Sequence, residues 1–474
     1  MERDLVGKRP TFHRQKSGSR PYRLMLWIVL IMVGAWMLFG IRRGQVEPLF
    51  KPTPTPTRTA NSYIQEAQAY FLTGKLDDPD PPLPTPARYD AIDTFQRALD
   101  IDPENAQAWA EKARIETYST TMLSSDKERL KRLDQALESI NRAVELQPDD
   151  STIHAIRAFV LDWYASSPLV TEERRQELLL EAESEAVRAY GLDPENGLAL
   201  AFYAEVLLDQ QKWAQAEQNA EKAVAIAPNS MDAHRVYATV LESLGQYRSA
   251  IEQYLKAAEI SPNLTFLYVY VGRNYLSLRL YEKALEYYAR AAEINKQLGV
   301  ANPIPNLEIA KTYTQQGEFF IAARNAETAL SFDPTNPSTY GQLGIIYIKS
   351  RNYEGARPVL QCAVVGCTAE ENEVGKVDVE GLDLTNLTVA YYYVEYGTVL
   401  AFLSRPAQDF CPEARQILNQ VKAVYSDDPI LMSIVADSEG ICDRLGSGVS
   451  GSGTSTEVPI ATPEMIETTP TPGG

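Results

Sequence analysis

Residues 197–230 read GLALAFYAEVLLDQQKWAQAEQNAEKAVAIAPNS, and residues 231–264, MDAHRVYATVLESLGQYRSAIEQYLKAAEISPNL, follow with no gap. The two stretches are one 34-residue pattern written twice. Numbering each copy from 1, position 8 is Ala204 then Ala238, position 11 Leu207 then Leu241, and position 17 Trp213 then Tyr247. Position 20 is Ala216 then Ala250, position 27 Ala223 then Ala257, and position 32 Pro228 then Pro262. This spacing predicts a pair of antiparallel helices per copy. Small side chains at 8, 20 and 27 stand where the helices cross and where the next copy arrives; a bulky residue there would hold the backbones apart. The large residues at 11 and 17 fill the groove beside them. Proline at 32 stops the second helix, because it lacks an N–H and its ring clashes with the preceding turn. One such hairpin cannot bury its apolar face alone, so copies must stack.

Period, length and six matched positions together resemble the tetratricopeptide repeat, a helix-turn-helix unit. The resemblance implies an all-α solenoid wound as a right-handed superhelix, acting by binding. In that family the first helices line the concave face, with positions 2, 5, 9, 12 and 13 turned inward. Carried onto this chain, those positions give Arg235, Arg273, Lys311 and Lys349, with Asn274 and Gln315 close by. Such a set would hold a protein or peptide segment, above all an acidic one. It is only faintly similar to the family's carboxylate clamp, whose Lys-Asn-Asn-Lys-Arg set is not matched. The plainer reading is solvated helix surface, or pairing with Glu205, Asp209 and Glu242.

Outward from the regular pair, the pattern loosens. Three units precede it, with Tyr63 and Ala67, Trp109 and Ala113, and His154 and Ala158 on their first helices. Each carries an insertion between its helices, the first reading LDDPDPPLPTPA. These predict either longer helices or a decorated rim. Three units follow: Tyr268 to Ala291, Ala310 to Pro334, and Tyr340 to Ala363. Residues 366–386 read as a long acidic loop. A ninth, irregular unit begins at Thr388, and Ile430–Leu445 reads as a closing helix with Asp437, Ser438, Glu439, Asp443 and Arg444 on a polar outer face. The repeat array is therefore expected over 61–445, and the Gly/Ser/Thr/Pro-rich tail 446–474 is expected to be disordered.

The N-terminal segment is of another kind. Residues 1–23 form a basic tail, and Leu24–Ile41 (LMLWIVLIMVGAWMLFGI) carries no charge. Eighteen such residues lie near the lower limit for a helix crossing a bilayer of roughly 30 Å. Arg42 and Arg43 follow in place of a small-residue cleavage site, which favours an uncleaved signal anchor over a signal peptide. Seven basic residues precede the span and four follow it before Ala60. That bias puts the N-terminus in the cytoplasm and the repeats outside. Residues 44–60, with KPTPTPTRT, predict an extended spacer. A receptor or co-chaperone with its repeats in the cytosol is the alternative; the acidic body, the spacer and the cysteines count against it.

Charge and cysteines bound the rest. The first 43 residues hold nine basic and two acidic side chains, the remainder 36 and 61. A body this acidic argues against nucleic acid, which needs a basic face. Three histidines, with no HExxH, GxSxG, phosphate-binding or dinucleotide-binding motif, point away from an enzyme; no catalytic residue, metal or cofactor is expected. His154 and His234 both fall at position 4 and read as packing residues. All four cysteines lie after residue 360. Cys411 opens one helix and Cys442 nears the end of the next, so an antiparallel turn brings them level and predicts a disulfide. Cys362 and Cys367 can pair only if the helix breaks at Gly366.

Overall fold

The structure is a computed structural model that describes residues 21–42, 58–77 and 89–446, with the side chains of the first helix given as far as Trp36. The chain divides into two units, Met1–Arg58 and Thr59–Gly474. Most of the basic tail, the Pro/Thr spacer, most of the LDDPDPPLPTPA insertion and the C-terminal tail lie outside the described residues. In the first unit, α1 (Pro21–Arg42) contains the expected anchor segment. Among the described residues no helix is long and apolar enough to cross a membrane.

In the second unit the described helices pair in sequence. α2 (Ala60–Leu72) packs on α3 (Ala91–Ile101), α4 (Ala106–Ser119) on α5 (Asp126–Leu146), and α6 (Ser151–Ala165) on α7 (Glu172–Leu192). The regular copies are α8 (Gly197–Asp209) with α9 (Trp213–Ile226), and α10 (Met231–Ser243) with α11 (Tyr247–Ile260). Then come α12 (Thr265–Ser277) with α13 (Tyr281–Leu298), α14 (Ile304–Gln316) with α15 (Phe319–Phe332), and α16 (Pro337–Lys349) with α17 (Tyr353–Val364). α18 (Leu387–Leu403) and α19 (Cys411–Tyr425) make the last hairpin, and α20 (Pro429–Gly446) packs on both. The result is an all-helical repeat solenoid.

The small residues lie where helices touch. Ala204, Ala216, Ala223, Ala238, Ala250 and Ala257 are all fully buried. In the next unit Gly272 takes position 8, and a Cβ there would come within 2.3 Å of the Tyr288 ring, so only glycine lets α12 approach α13. α9 and α11 end at Ile226 and Ile260, two residues before each proline. Trp213 departs from the expected packing. It begins α9 and keeps 40% of its surface exposed, so position 17 is not a core position in that copy.

The insertions in units two and three become helix. α5 and α7 each run 21 residues, against 14 for α9 and α11. The turn before α5 reaches across the superhelix. Ser124 Oγ donates to Asp333 Oδ2 at 2.7 Å and accepts from Asn336 Nδ2 at 2.6 Å, tying unit two to the turn between α15 and α16.

A repeated polar pin holds five of the first helices, α4, α6, α10, α12 and α16, to the turn before them. Trp109 Nε1, His154 Nε2, His234 Nε2, Tyr268 Oη and Tyr340 Oη lie 2.8–3.1 Å from the carbonyls of Pro103, Pro148, Pro228, Pro262 and Pro334. Every one of these residues stands six after its proline. Proline ends the previous helix and its carbonyl then anchors position 4 of the next unit. This accounts for both repeat histidines structurally.

The expected loop 366–386 contains a short antiparallel ladder, β1 (Gly366–Cys367) on β2 (Val379–Glu380). α17 stops at Val364, and Gly366 turns the chain at φ +91°, a conformation L side chains rarely adopt. That break brings Cys362 and Cys367 together as a disulfide with Cα atoms 4.7 Å apart. A second disulfide joins Cys411 to Cys442, Cα to Cα 5.5 Å, clamping α20 onto α19. On α20, Asp437, Asp443 and Arg444 face solvent and Glu439 is half-buried. Ser438 is turned inward instead, 1% exposed and 2.9 Å from Thr398 Oγ1.

The packing makes a stability prediction. Ala250→Leu should destabilise the array by about 1–3 kcal/mol through overpacking, while Ser249→Leu, on the exposed side, should change it by less than about 0.5 kcal/mol. Urea unfolding of both variants measures this; equal losses would place the helix register elsewhere.

Candidate functional site

The first helices of units two to six converge around Arg235 on α10. Its side chain is 2% exposed, and both ends of its guanidinium donate to Glu205 on α8, Nη1–Oε1 and Nη2–Oε2 each 2.6 Å. Its Nε donates to Tyr118 Oη on α4 at 3.0 Å, and Tyr118 donates in turn to Asp232. Arg114 on α4 reaches Asp232 as well, at 3.1 Å. Trp163 Nε1 on α6 donates to Glu205 Oε1 at 3.2 Å. The guanidinium carbon lies 5.4–5.8 Å from the ring centres of Tyr118, Phe159 and Trp163, within reach for cation–π attraction.

Apolar contacts close the same space. Tyr118 stacks on Phe266 of α12 at 5.4 Å, and Phe159 stacks on Phe202 at 4.4 Å. Along this stretch the inner surface is occupied by the chain's own side chains. This corrects the expectation of an open concave groove here. The repeat's numbering turns a charged position-5 residue toward a ligand, but the closing turn of the superhelix places Tyr118 and Phe266 over it.

The six expected groove residues separate accordingly. Arg235 belongs to the buried network. Asn274 is fully buried, donating to Glu242 Oε2 and the Tyr270 carbonyl, both at 2.9 Å. Arg273 pairs with Glu308 at 2.7 Å and keeps 32% of its side chain exposed. Lys311 and Gln315 on α14 are exposed, and Lys349 on α16 is half-buried. Burial holds the Lys349 amine below its usual range and pushes Glu395 on α18, its opposite charge, up to about 7. So α14, α16 and α18 keep accessible polar groups where the earlier units are sealed.

Two further carboxyls sit behind the sealed network. Asp162 is fully buried, and neither of its oxygens has a hydrogen-bond partner among the described residues. Asp209 accepts from Ser166 Oγ at 2.9 Å through one oxygen, while the other is buried and unpaired among the described residues. Burial, with repulsion from Asp209 and Glu205, lifts Asp162 well above the carboxylate range. Burial raises Asp209 to about 8. This pair is held as the acid in the fold. No local spacing signals it, since its members lie on different helices. Among the described residues no cluster of His, Cys, Asp or Glu is arranged to hold a metal ion.

The repeats are shared with known proteins. Sequence profiles of the tetratricopeptide repeat match residues 204–264, and also 122–150 and 267–298. No curated protein matches the chain in sequence. Among solved structures, TTC0263, a thermophilic TPR protein of Thermus thermophilus, is 20% identical, aligning 46% of this chain with 99% of its own (TM-score 0.36). The human IFIT1 dimer with m7Gppp-AAAA is 16% identical over 74% of this chain and 76% of that one (TM-score 0.49). Yeast Tom70 is 15% identical over 83% and 70% respectively (TM-score 0.42).

The buried groups can be tested by substitution and by pH. Arg235→Ala leaves Glu205 charged and unpaired and should cost about 3–5 kcal/mol. The double variant Arg235→Met/Glu205→Leu removes both charges and should recover most of that loss in urea titrations. The carboxyl pair sets a pH dependence. A carboxyl whose folded pKa exceeds its unfolded value stabilises the fold less and less as pH rises between the two. The melting temperature should therefore fall from pH 5 to pH 9, and Asp209→Asn should flatten the fall; an unchanged slope would remove the pair as its cause.

Proposed function

We propose that the chain is a non-enzymatic scaffold that holds protein or peptide segments on its repeat array, anchored in a membrane by Leu24–Ile41 with the repeats on the extracytoplasmic side. The observation that carries the binding role is the stacked hairpin array, whose extended surfaces suit polypeptide partners. Within it, the inner edge of α14, α16 and α18 is the favoured contact surface, because Lys311, Gln315 and Lys349 stay accessible there. Two lysines on an otherwise acidic body favour an acidic segment, and the excess of Asp and Glu keeps nucleic acid a poor candidate.

Support for the anchor comes from α1. Its sequence carries no charge over the 18 residues Leu24–Ile41, near the lower limit for a helix crossing a hydrocarbon layer of roughly 30 Å. Leu24 to Val33 are large apolar side chains, each 48–70% exposed. Support for the outer compartment comes from the cysteines, since Cys362–Cys367 and Cys411–Cys442 are both disulfides and such bonds persist in oxidising compartments.

A membrane-impermeant crosslinker applied to intact cells tests the whole reading. The wild-type chain should trap a protein partner from outside, and Lys311→Glu/Lys349→Glu should cut the yield at least fivefold while melting like wild type. Crosslinking only after the cells are opened would place the repeats inside. An unchanged yield in the double variant would move the contact elsewhere on the array.

A further inference from the structure

Next to the sealed network lies a cavity of about 70 Å³, lined by the turn after α4, the first turns of α5, the end of α6 and the turn after it, one face of α12, and the start of α14. A single water needs on the order of 10–15 Å³ of such space, so the cavity admits roughly five waters or an acid of about two to four carbons. Its chemistry is one-sided. None of the lining residues is acidic, whereas Arg129 and Arg273 both contribute. Arg129 donates through Nε to the Leu123 carbonyl at 2.8 Å and through Nη1 to Asp126 at 3.2 Å, leaving Nη2 without a partner among the described residues. Asn302 is 3% exposed; its Oδ1 accepts from the Ile304 amide, and its Nδ2 has no acceptor among the described residues. Ser167, 6% exposed, accepts from the Leu169 amide, leaving its hydroxyl proton to donate.

Three donors at this cavity thus lack acceptors among the described residues: Asn302 and Ser167, both nearly enclosed, and the cationic Arg129, which keeps 34% of its side chain exposed. Donors that face a cavity are satisfied by what occupies it, water or a ligand with acceptor oxygens. Electrostatics argues the same way. Burial lowers Arg129 below the ordinary arginine range, with Asp126 pulling it back up and the charge of Arg273 pushing it down; an anion in the cavity would act in the same direction as Asp126. Apart from Thr120, Thr121 and Ser166, the remaining walls, including Trp163, Phe266, Tyr270 and Leu133, are apolar or aromatic and suit a short hydrocarbon tail. Access is preserved, since the Arg129 and Arg273 side chains stay 34% and 32% exposed.

From the unpaired donors of Arg129, Asn302 and Ser167 and the apolar walls around them, we infer that this cavity binds a small free carboxylate with a short apolar tail. The carboxylate oxygens accept from Arg129 Nη2 and Asn302 Nδ2, and the tail lies against Trp163 and Phe266. No bond is made or broken; the ligand ties the turn after α4 to α12 and α14. This site is separate from the surface assigned to a protein partner.

Calorimetric titration and thermal unfolding of the full chain in detergent test it, with butyrate, butanol and inorganic phosphate as probes at matched ionic strength. Butyrate should bind saturably and raise the melting temperature, and butanol should do neither. Arg129→Gln should weaken butyrate at least tenfold. Asn302→Leu should weaken it too, which covers the case of an Arg129 variant that fails to fold. Equal response to butyrate and butanol, binding of phosphate but not butyrate, or unchanged affinity in both variants would overturn the site. Crosslinking to the protein partner reads the other surface independently, so either assignment can fail alone.

Discussion

Arg235 carries a full charge at a place water does not reach, and the arrangement of five helices follows from that constraint. Moving an ion out of water costs several kcal/mol unless an opposite charge and hydrogen bonds replace the lost hydration. Glu205 supplies the charge in two parallel bonds, Tyr118 accepts the remaining Nε–H, and aromatic rings cover the rest. Glu205 comes from the neighbouring unit, but Tyr118 comes from three units away. Satisfying one guanidinium therefore draws the second unit across the superhelix axis onto the fifth and sixth.

That closure changes what kind of array this is. In an open solenoid each unit touches only its neighbours, and stability adds along the chain. Here the Arg114–Asp232 pair, the Tyr118–Phe266 stack and the Ser124 bonds to Asp333 and Asn336 link units far apart in sequence. The longer α5 and α7 belong to the same stretch. At the other end, Cys411–Cys442 fastens the closing helix, so both ends of the array are held by contacts that the basic hairpin lacks. The accessible inner edge is left to α14, α16 and α18.

The architecture is legible in the sequence because its cause is periodic. Ala204 and Ala238, or Ala216 and Ala250, are 34 residues apart for a packing reason, and the same reason puts glycine at 272. The proline at position 32 reads as a stop, while its second task, accepting from position 4, shows only in three dimensions. The inner surface is far less legible. Arg235 falls at an inward position by the repeat's numbering, yet whether inward means open or buried depends on Tyr118, 117 residues earlier, and on how tightly the superhelix turns. Pairing with Glu205, the plainer alternative, is visible on charge grounds alone. Asp162 and Asp209 are invisible, since an aspartate near the end of a helix ordinarily reads as solvated. Ser438 shows the same limit on a smaller scale, because a serine on a polar face is as easily turned toward Thr398 as toward water.

The central claim is that the second unit is locked to the fifth and sixth across the axis. Native-state hydrogen exchange measures this lock helix by helix, because amides report the opening of the contacts that cover them. The account predicts that the amides of α4, close to the N-terminal end of the array, exchange as slowly as those of α10, and that the two helices speed up together in Arg235→Ala. A smooth rise in exchange rate from α10 back to α4, with α4 fraying independently of Arg235, would show an open array and contradict it.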